Sequence, residues 1–360
     1  MDNPLTPKQK RLLETILNFY AQKGYSPTRK ELAKKLKKSI PTIQQQVKSL
    51  IEKGFLEYQP GSFRNIKPIV EDKGQTIKKR KARIGIIGYG IVGQAVAYGF
   101  SNEQILIYDK YKQSDSLEKV CKESDYLFLC LPTPIKEDHS GIDLGIVNDN
   151  VKKINQFTKK TDKIIIIKST VVPGTTRKLA KKYPQSLFCF NPEFLTEAAF
   201  LHDFVNPDRI VIGTDNDLVF RRLSSLYQCI LPTTKIFHTD PTSAEMVKYM
   251  ANCFLATKVI FANEMFEICQ KLAIAYDEVK EMVVADKRIY DSHMKITSTR
   301  GFGGKCFPKD LLALGVMARA LGADVALMDA VWKKNLKIRK VRDWEEIPFA
   351  VSKPNFGHRN

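Results

Sequence analysis

Apolar residues recur every three or four positions in three stretches near the start of the chain. This spacing predicts amphipathic helices, because it places the apolar side chains on one face. A hydroxyl residue precedes each stretch, at Thr6, Thr28 and Ser39, and can cap the first helical turn. Two β-like runs, 55–58 and 65–69, follow the third helix. Three helices and a hairpin predict a small α+β domain of the winged helix-turn-helix type.

From residue 82 onward the pattern changes to β-branched runs that alternate with helical stretches. Such alternation predicts the α/β class, with a Rossmann-type doubly wound parallel sheet. A long apolar helix over 239–272 then opens a helical central domain. We therefore expect five segments. They are the winged helix at 1–70, a basic linker at 71–81, the dinucleotide-binding domain at 82–238, the central domain at 239–343 and a tail at 344–360.

Composition excludes several classes of protein. The 360 residues are 43% hydrophobic, and no apolar run approaches the length of a membrane span. The seven cysteines lack Cys-x-x-Cys spacing, which argues against a disulfide framework and a zinc site. We expect a cytoplasmic protein without a metal and without a membrane partner.

The positive charge is concentrated in the first part of the chain. Residues 1–81 hold 19 Lys and Arg against 7 Asp and Glu, whereas the rest holds 39 against 32. This asymmetry predicts two functional units, of which the first faces a polyanion.

The order and spacing over 6–69 resemble the DNA-binding domain of the LexA repressor. The resemblance implies double-stranded DNA as a partner, contacted by the third helix. LexA's self-cleaving protease domain has no counterpart here. The alternative is a protein-docking or vestigial module. The residues that the resemblance places on the groove-facing helix are Ser39, Thr42, Gln44, Gln45 and Lys48.

A glycine fingerprint follows the first β-branched run of the α/β part. Gly88, Gly90 and Gly93 lie between a predicted strand and a predicted helix, which is the context that dinucleotide binding requires. Asp109 ends the next strand, 21 residues after Gly88, where its carboxylate can accept hydrogen bonds from ribose hydroxyls. It would repel a 2′-phosphate, so the predicted cofactor is NAD rather than NADP.

Cys306 follows a glycine-rich stretch and precedes Pro308, which suits the first turn of a helix. The helix dipole and the neighbouring Lys305 and Lys309 favour a thiolate, so Cys306 is a candidate nucleophile. The alternative is a small buried apolar cysteine.

Lys248 and Asn252 lie four residues apart, hence on one face of the long helix, and can stabilise an oxyanion together. Alternatively they are a solvent-facing lysine beside a core asparagine.

Together these motifs strongly resemble the nucleotide-sugar 6-dehydrogenases, the family of UDP-glucose 6-dehydrogenase. The resemblance implies NAD-dependent oxidation of a sugar primary alcohol to a uronate through a thiohemiacetal and a thioester on Cys306. The matching segments, in family order, are 88–93, 131–134, 169–174, 191–197, Lys248 with Asn252, 286–289 and 301–310.

The resemblance also assigns roles to individual residues. Lys248 and Asn252 would stabilise the oxyanion, and Asp310 with Thr170 would position a water or assist proton transfer. Glu193 would act in the aldehyde and hydrolysis steps. The other cofactor positions are Ile91, Val92, Pro132, Thr133, Thr170 and Glu197. The substrate positions are Phe194, Leu195, Lys248, Asn252, Gly303 and Arg288. Arg288 would reach the active site of a partner in a homodimer joined through the long helix.

The sequence departs from the family after residue 342, where the second Rossmann-like domain has no counterpart. We therefore expect weaker binding of the nucleotide sugar, an altered substrate, or a site completed by another polypeptide. A second hypothesis is a DNA-binding regulator whose dehydrogenase part senses NAD or a nucleotide sugar. A third is that the two parts are an artificial fusion.

Overall fold

The computed structural model of the chain describes residues 5–23, 26–58, 66–68 and 81–352. The chain divides into two compact units, Met1–Arg80 and Lys81–Asn360. The predicted linker up to residue 80, the turn between the two strands of the hairpin and the end of the predicted tail lie outside the described residues. The finer boundary at 238/239 stays a prediction.

The first unit is a helical core with a short hairpin. Its elements are α1 (Pro7–Lys23), α2 (Arg29–Leu36), α3 (Ile40–Glu52), β1 (Leu56–Tyr58) and β2 (Ile66–Pro68). The two strands pair antiparallel. Thr28 and Glu31 form a reciprocal capping box, and the Ser39 hydroxyl accepts the Thr42 N–H. Leu12, Ile16 and Ile43 are fully buried, so the predicted apolar faces form this core.

The strands of the second unit, within its described part, form a large sheet and a small pair. They are β3 (Arg83–Ile87), β4 (Gln104–Tyr108), β5 (Tyr126–Leu129), β6 (Ile135–Lys136), β7 (Ile164–Ile167), β8 (Leu187–Phe190), β9 (Arg209–Gly213), β10 (Lys235–Thr239) and β11 (Val351–Ser352). The large sheet has the order β10-β9-β8-β7-β5-β3-β4, and β6 pairs with β11.

The large sheet is mostly parallel, as the alternating pattern predicts. The adjacent strands β4, β3, β5, β7 and β8 pair in parallel. Strand β9 then pairs antiparallel with β8 through Phe190 and Gly213. All four isoleucines of β7 are buried, because separate apolar clusters cover the two faces of the sheet. Parallel strands place their carboxyl ends at one edge, where the polar loops of the sequence meet.

The helices of the second unit cover this sheet and build the central domain. They are α4 (Ile91–Gly99), α5 (Leu117–Glu123), α6 (Gly145–Thr158), α7 (Thr175–Lys182), α8 (Phe200–Val205), α9 (Asp217–Ile230), α10 (Pro241–Lys271), α11 (Tyr276–Val284), α12 (Phe307–Ala320) and α13 (Ala326–Ile338). Asp240 caps α10, the predicted long helix. Tyr249 of α10 packs with Leu311 of α12 and Val331 of α13. Across the described ranges, no helix is both long and apolar enough to cross a bilayer.

Candidate active site

A cavity of about 550 Å³ lies between the loop after β8, the middle of α10 and the loop that precedes α12. It collects most of the residues that the sequence predicts for catalysis and substrate binding. Those that line it are Glu193, Phe194, Leu195, Glu197, Lys248, Asn252, Gly303 and Cys306. Segments separated by more than a hundred residues therefore meet at one site.

An ion pair between Lys248 and Glu193 lies within this cavity. Lys248 Nζ is 2.8 Å from Glu193 Oε1 and donates a second 2.8 Å hydrogen bond to the Glu193 carbonyl oxygen. Burial raises the pKa of Glu193, but the ammonium of Lys248 and hydrogen bonds lower it by more, so the pKa lies below its usual value. The pKa of Lys248 is raised, because Glu193 and Asp310 outweigh its burial. The pair is therefore charged at neutral pH.

A second polar group holds the Asn252 amide. Asn252 Nδ2 donates to Asp310 Oδ2 at 2.5 Å, and Lys309 Nζ lies 2.5 Å from the other carboxylate oxygen. Asp310 is 1% exposed, so its charge is balanced by partners rather than by water. Asp310 fixes the amide one helical turn after Lys248 on α10.

Cys306 is the residue before α12, and Pro308 lies in the first turn, as predicted. The residue is exposed at the cavity. The prediction of a thiolate is wrong, however. Desolvation and then the Asp310 carboxylate raise the pKa of the Cys306 thiol to about 11, and they outweigh the opposing cations Lys248 and Lys309. At neutral pH the sulfur is a thiol.

The glycine fingerprint lies apart from the residues that line this cavity and fits a dinucleotide. A Cβ at Gly88 would lie 2.5 Å from the Cys130 carbonyl oxygen, and one at Gly93 would collide with the Gly88 carbonyl oxygen. A Cβ at Gly90 would instead meet nothing within 4 Å. The chain is thus tightly packed behind the turn and open in front of it, where the N–H groups of α4 begin.

Two further contacts order the loops at this edge of the sheet. The Asp109 carboxylate accepts the N–H of Tyr89 at 2.7 Å and that of Tyr111 at 2.8 Å, which fixes it beside the glycine turn. Thr133 Oγ1 donates to the Thr170 carbonyl oxygen at 2.8 Å. The remaining predicted cofactor positions lie on the same loops, with Ile91 and Val92 opening α4 and Pro132 preceding Thr133. These residues fit NAD, and their cofactor roles stay predictions.

Three of the residues predicted for catalysis or substrate binding do not line the cavity, namely Asp310, Thr170 and Arg288. Asp310 is the buried partner of the Asn252 amide. Thr170 contributes its carbonyl oxygen to the contact with Thr133. Arg288 is 88% exposed and forms an ion pair with Asp286 at 2.6 Å. Its predicted role in a partner's site is untested. No three His, Cys, Asp or Glu side chains within the described ranges are grouped to hold a metal ion.

Sequence reasoning missed a buried network at the base of the cavity. Lys168 Nζ donates to Asn191 Oδ1 at 3.0 Å and to the Asn191 carbonyl oxygen at 3.2 Å. Tyr227 donates to the same Oδ1 at 2.5 Å. Desolvation lowers the pKa of Lys168 to about 8. The one available signal was a lysine directly after the four-isoleucine run, where a buried strand ends.

In the first unit, α3 presents a polar face. Gln44, Gln45 and Lys48 are exposed, and Lys48 forms a long 3.9 Å pair with Glu52. Ser39 and Thr42 occupy the capped start of the helix. These are the residues that the sequence predicts at a DNA groove.

Fold and site define a dinucleotide-binding α/β protein with a helical central domain. Residues 103–231 match the NAD binding domain, and residues 242–337 the central domain, of the UDP-glucose/GDP-mannose dehydrogenase family. The matches together cover more than half of the chain, which belongs to this family through these two domains. Residues 2–65 match the LexA DNA binding domain.

Curated relatives include the UDP-glucose 6-dehydrogenase of Rickettsia typhi, 34% identical over 238 residues (65% of this chain and 54% of the relative). The UDP-glucose 6-dehydrogenase YwqF of Bacillus subtilis is 37% identical over 229 residues (61% and 50%). The chain spans about half the length of the curated relatives it matches.

Solved structures give the same fold. A UDP-glucose dehydrogenase from the hyperthermophilic archaeon Pyrobaculum islandicum has a TM-score of 0.65 and 29% identity, covering 73% of this chain and 70% of its own. A UDP-D-ManNAc dehydrogenase from Pyrococcus horikoshii has a TM-score of 0.63 and 21% identity, with 71% and 68% covered, which supports the fold alone.

Proposed function

We propose that the chain is an NAD-dependent oxidoreductase that converts the primary alcohol of a nucleotide sugar, such as UDP-glucose, into a carboxylate. The observation that carries the proposal is the single cavity that brings together Cys306, the Lys248–Glu193 pair and the Asn252 amide. A nucleophile, a fixed cation and a fixed amide donor are the groups that acyl chemistry at an aldehyde requires.

NAD, held by the glycine turn and Asp109, would accept the hydride in each of the two oxidations. The residues of the chain would stabilise the negative charge that develops on the sugar oxygen. Lys248, charged and fixed by Glu193, can donate to the sugar oxygen as negative charge develops there. Asn252 offers an amide donor on the same face of α10, since Asp310 holds its side chain.

Cys306 would retain the intermediate. Its sulfur bonds to the aldehyde carbon, and the thiol proton ends on the aldehyde oxygen, giving a thiohemiacetal. In the second oxidation that carbon would give up its hydride and its hydroxyl would give up a proton to water, which leaves a thioester. Water then attacks, the carbon–sulfur bond breaks, and the sulfur regains a proton. Because the pKa of Cys306 is about 11, proton removal must accompany attack. The candidate acceptors are the Glu193 carboxylate, which lines the cavity, and the buried Asp310 carboxylate, both of which act on the charge of the thiol.

Formation of NADH from NAD with UDP-glucose, GDP-mannose and UDP-N-acetyl sugars tests this function. A uronate product should accompany NADH with at least one of them. Free glucose is the control, because it lacks the nucleotide that supplies binding energy. Absence of NADH with every nucleotide sugar, in protein that binds NAD, would contradict the proposal.

A homodimer is the expected assembly. Four apolar side chains of α10 and that of Leu272, its C-cap residue, fall within an arc of about 40° on one helical face at about 100° per residue. They are Met250, Phe254, Phe261, Ile268 and Leu272, each between 46% and 66% exposed. A second copy would bury them, and exposed Arg288 would then be free to approach the partner's site. Light scattering after gel filtration tests the mass.

All seven cysteines are free thiols, which supports a cytoplasmic location.

A second candidate function, DNA binding, is favoured by the match to the LexA DNA binding domain. Gln44, Gln45 and Lys48 expose amide and ammonium groups suited to base edges and phosphates. The chain would then be either an enzyme with a DNA-binding module or a regulator that senses NAD or a nucleotide sugar. Two measurements separate these possibilities. Binding to duplex DNA at several salt concentrations tests the DNA-binding module, and formation of NADH with a nucleotide sugar tells an enzyme from a regulator.

A further inference from the structure

Three side chains at four-residue intervals hold the backbone of the loop at 300–304, which leads to Cys306. Asn335 Oδ1 accepts the Phe302 N–H at 2.8 Å, and its Nδ2 donates to the Phe302 carbonyl oxygen at 3.0 Å. Arg339 Nη1 donates to the Arg300 carbonyl oxygen at 3.0 Å. Asp343 Oδ2 accepts the Gly304 N–H at 3.1 Å. We call Asn335, Arg339 and Asp343 the loop clamp.

The loop is shaped to fit against the clamp. Gly301 and Gly304 have φ of +54° and +72°, which other residues rarely adopt. Gly303 has no room for a Cβ, because Asp343 Oδ1 and the Arg339 guanidinium occupy that space. The last two clamp members also pair with each other, with Arg339 Nη2 at 3.1 Å from Asp343 Oδ1. A small displacement of the clamp would therefore move the backbone two residues before Cys306.

The segment that carries Asp343 is anchored on both sides. Trp344 is 4% exposed and packs on Trp332, with ring centroids 5.6 Å apart. Further along, the Ala350 carbonyl oxygen accepts the Ile135 N–H at 3.0 Å, and β11 pairs with β6. Ser352 Oγ donates to Asp143 Oδ2 at 2.8 Å. The segment is thus a docked part of the second unit.

The match to the family's central domain ends at residue 337. Asn335 lies inside that match, whereas Arg339 and Asp343 lie beyond it. Two of the three clamp residues therefore lie outside the part of the chain that matches the family's central domain.

We propose that Asp343, with Arg339, is a positioning residue that fixes the loop at 301–304 and thereby the place of the Cys306 sulfur at the cavity. Asp343 acts through the Gly304 N–H and is not among the residues that line the cavity. Its effect on catalysis rests on the proposed function. Its effect on the thiol does not.

The test is the rate at which iodoacetamide labels Cys306, followed by mass spectrometry of the peptide that contains it. Asp343→Ala removes both acceptor oxygens. Asp343→Asn keeps one oxygen but turns an amide donor toward Gly304 or Arg339. Glu345→Gln removes the same charge from an exposed position two residues away and is the matched control. Thermal unfolding shows whether each variant folds. If Asp343→Ala does not fold, the labelling rate of Asp343→Asn decides.

Loss of the clamp should loosen the loop at 301–304, which lets more water reach the Cys306 sulfur, lowers the pKa of the thiol and widens its access. We expect labelling about threefold faster or more in Asp343→Ala, less in Asp343→Asn, and unchanged in Glu345→Gln. We also expect kcat to fall about tenfold, with KM for the nucleotide sugar nearly constant. Labelling that is unchanged or slower in both Asp343 variants would overturn the proposal.

The two proposals fail separately. If the wild-type protein forms no NADH but the Asp343 variants label faster, the dehydrogenase function fails and the positioning role stands. If the wild-type protein is active and the Asp343 variants match it in labelling and in kcat, the positioning role fails and the function stands.

Discussion

The ammonium of Lys248 lies 2.8 Å from the carboxylate of Glu193 and 2.8 Å from the carbonyl oxygen of the same residue, 55 positions earlier in the chain. One side chain of α10 therefore fixes both the charge and the backbone of the loop after β8. Since Cys306 lines the same cavity, this contact connects the sheet to the site of the proposed chemistry.

Removal of this ammonium should destabilise the fold. Lys248→Met leaves the Glu193 carboxylate buried without its counter-ion, which typically costs about 3–5 kcal/mol. Urea denaturation should show a lower free energy of unfolding by roughly that amount. Lys271→Met, at an exposed position of the same helix, should change it little. If both variants unfold at the same urea concentration as the wild type, the buried pair does not stabilise the protein.

The Cys306 thiol should lose its proton only at high pH. Its pKa of about 11 means that the rate of alkylation rises with pH across the neutral range and levels off only near that pKa. Asp310→Asn should move the profile to lower pH, because the Asp310 carboxylate raises the pKa. Lys248→Met should move it to higher pH, because the ammonium lowers it. Cys306→Ser gives the background from other thiols. A profile that is already flat at pH 8 would contradict the raised pKa of the thiol.

Asp109 should select the cofactor. Asp109→Asn loses a negative charge beside the glycine turn, so we expect the KM for NAD to rise about tenfold and discrimination against NADP to weaken. Steady-state rates with both cofactors measure this. Asp149→Asn, at an exposed position of α6, is the control. An unchanged ratio of kcat/KM for NAD and NADP would exclude Asp109 as the determinant.

Lys48 should contact a phosphate if the first unit binds DNA. Lys48→Ala should weaken binding to all duplex sequences alike and reduce the slope of log K against log salt by about one. Fluorescence anisotropy with a labelled duplex measures both. Lys10→Ala, on the exposed face of α1, should have the same slope of log K against log salt as the wild type. Affinity that is independent of salt in the wild-type protein would argue for the docking module instead.

Local signals made much of this molecule predictable. Capping residues such as Thr28 and Ser39 and the spacing of Lys248 and Asn252 depend on contacts within a few residues, and the structure follows them. The state of Cys306 was predicted wrongly. Lys305, Lys309 and Asp310 are all visible in the sequence, but desolvation of the sulfur, the largest cause of its raised pKa, is not. Whether burial outweighs charge depends on the tertiary packing around a group.

Other features were missed because they join distant segments. The Lys168 network needs Asn191 and Tyr227, and the loop clamp needs Asp343 to face Gly304. Neither has a periodicity or spacing that would single it out. The predicted tail at 344–360 also contains β11, whose partner β6 lies more than two hundred residues earlier.

The most direct test of the account compares wild type with Cys306→Ser at saturating NAD and UDP-glucose, or whichever nucleotide sugar gives the highest rate. We measure NADH and uronate together. The account predicts two NADH per uronate in the wild type and loss of uronate formation in Cys306→Ser, because no thioester can form on the hydroxyl-bearing variant. Uronate formed by Cys306→Ser at the wild-type rate would contradict it.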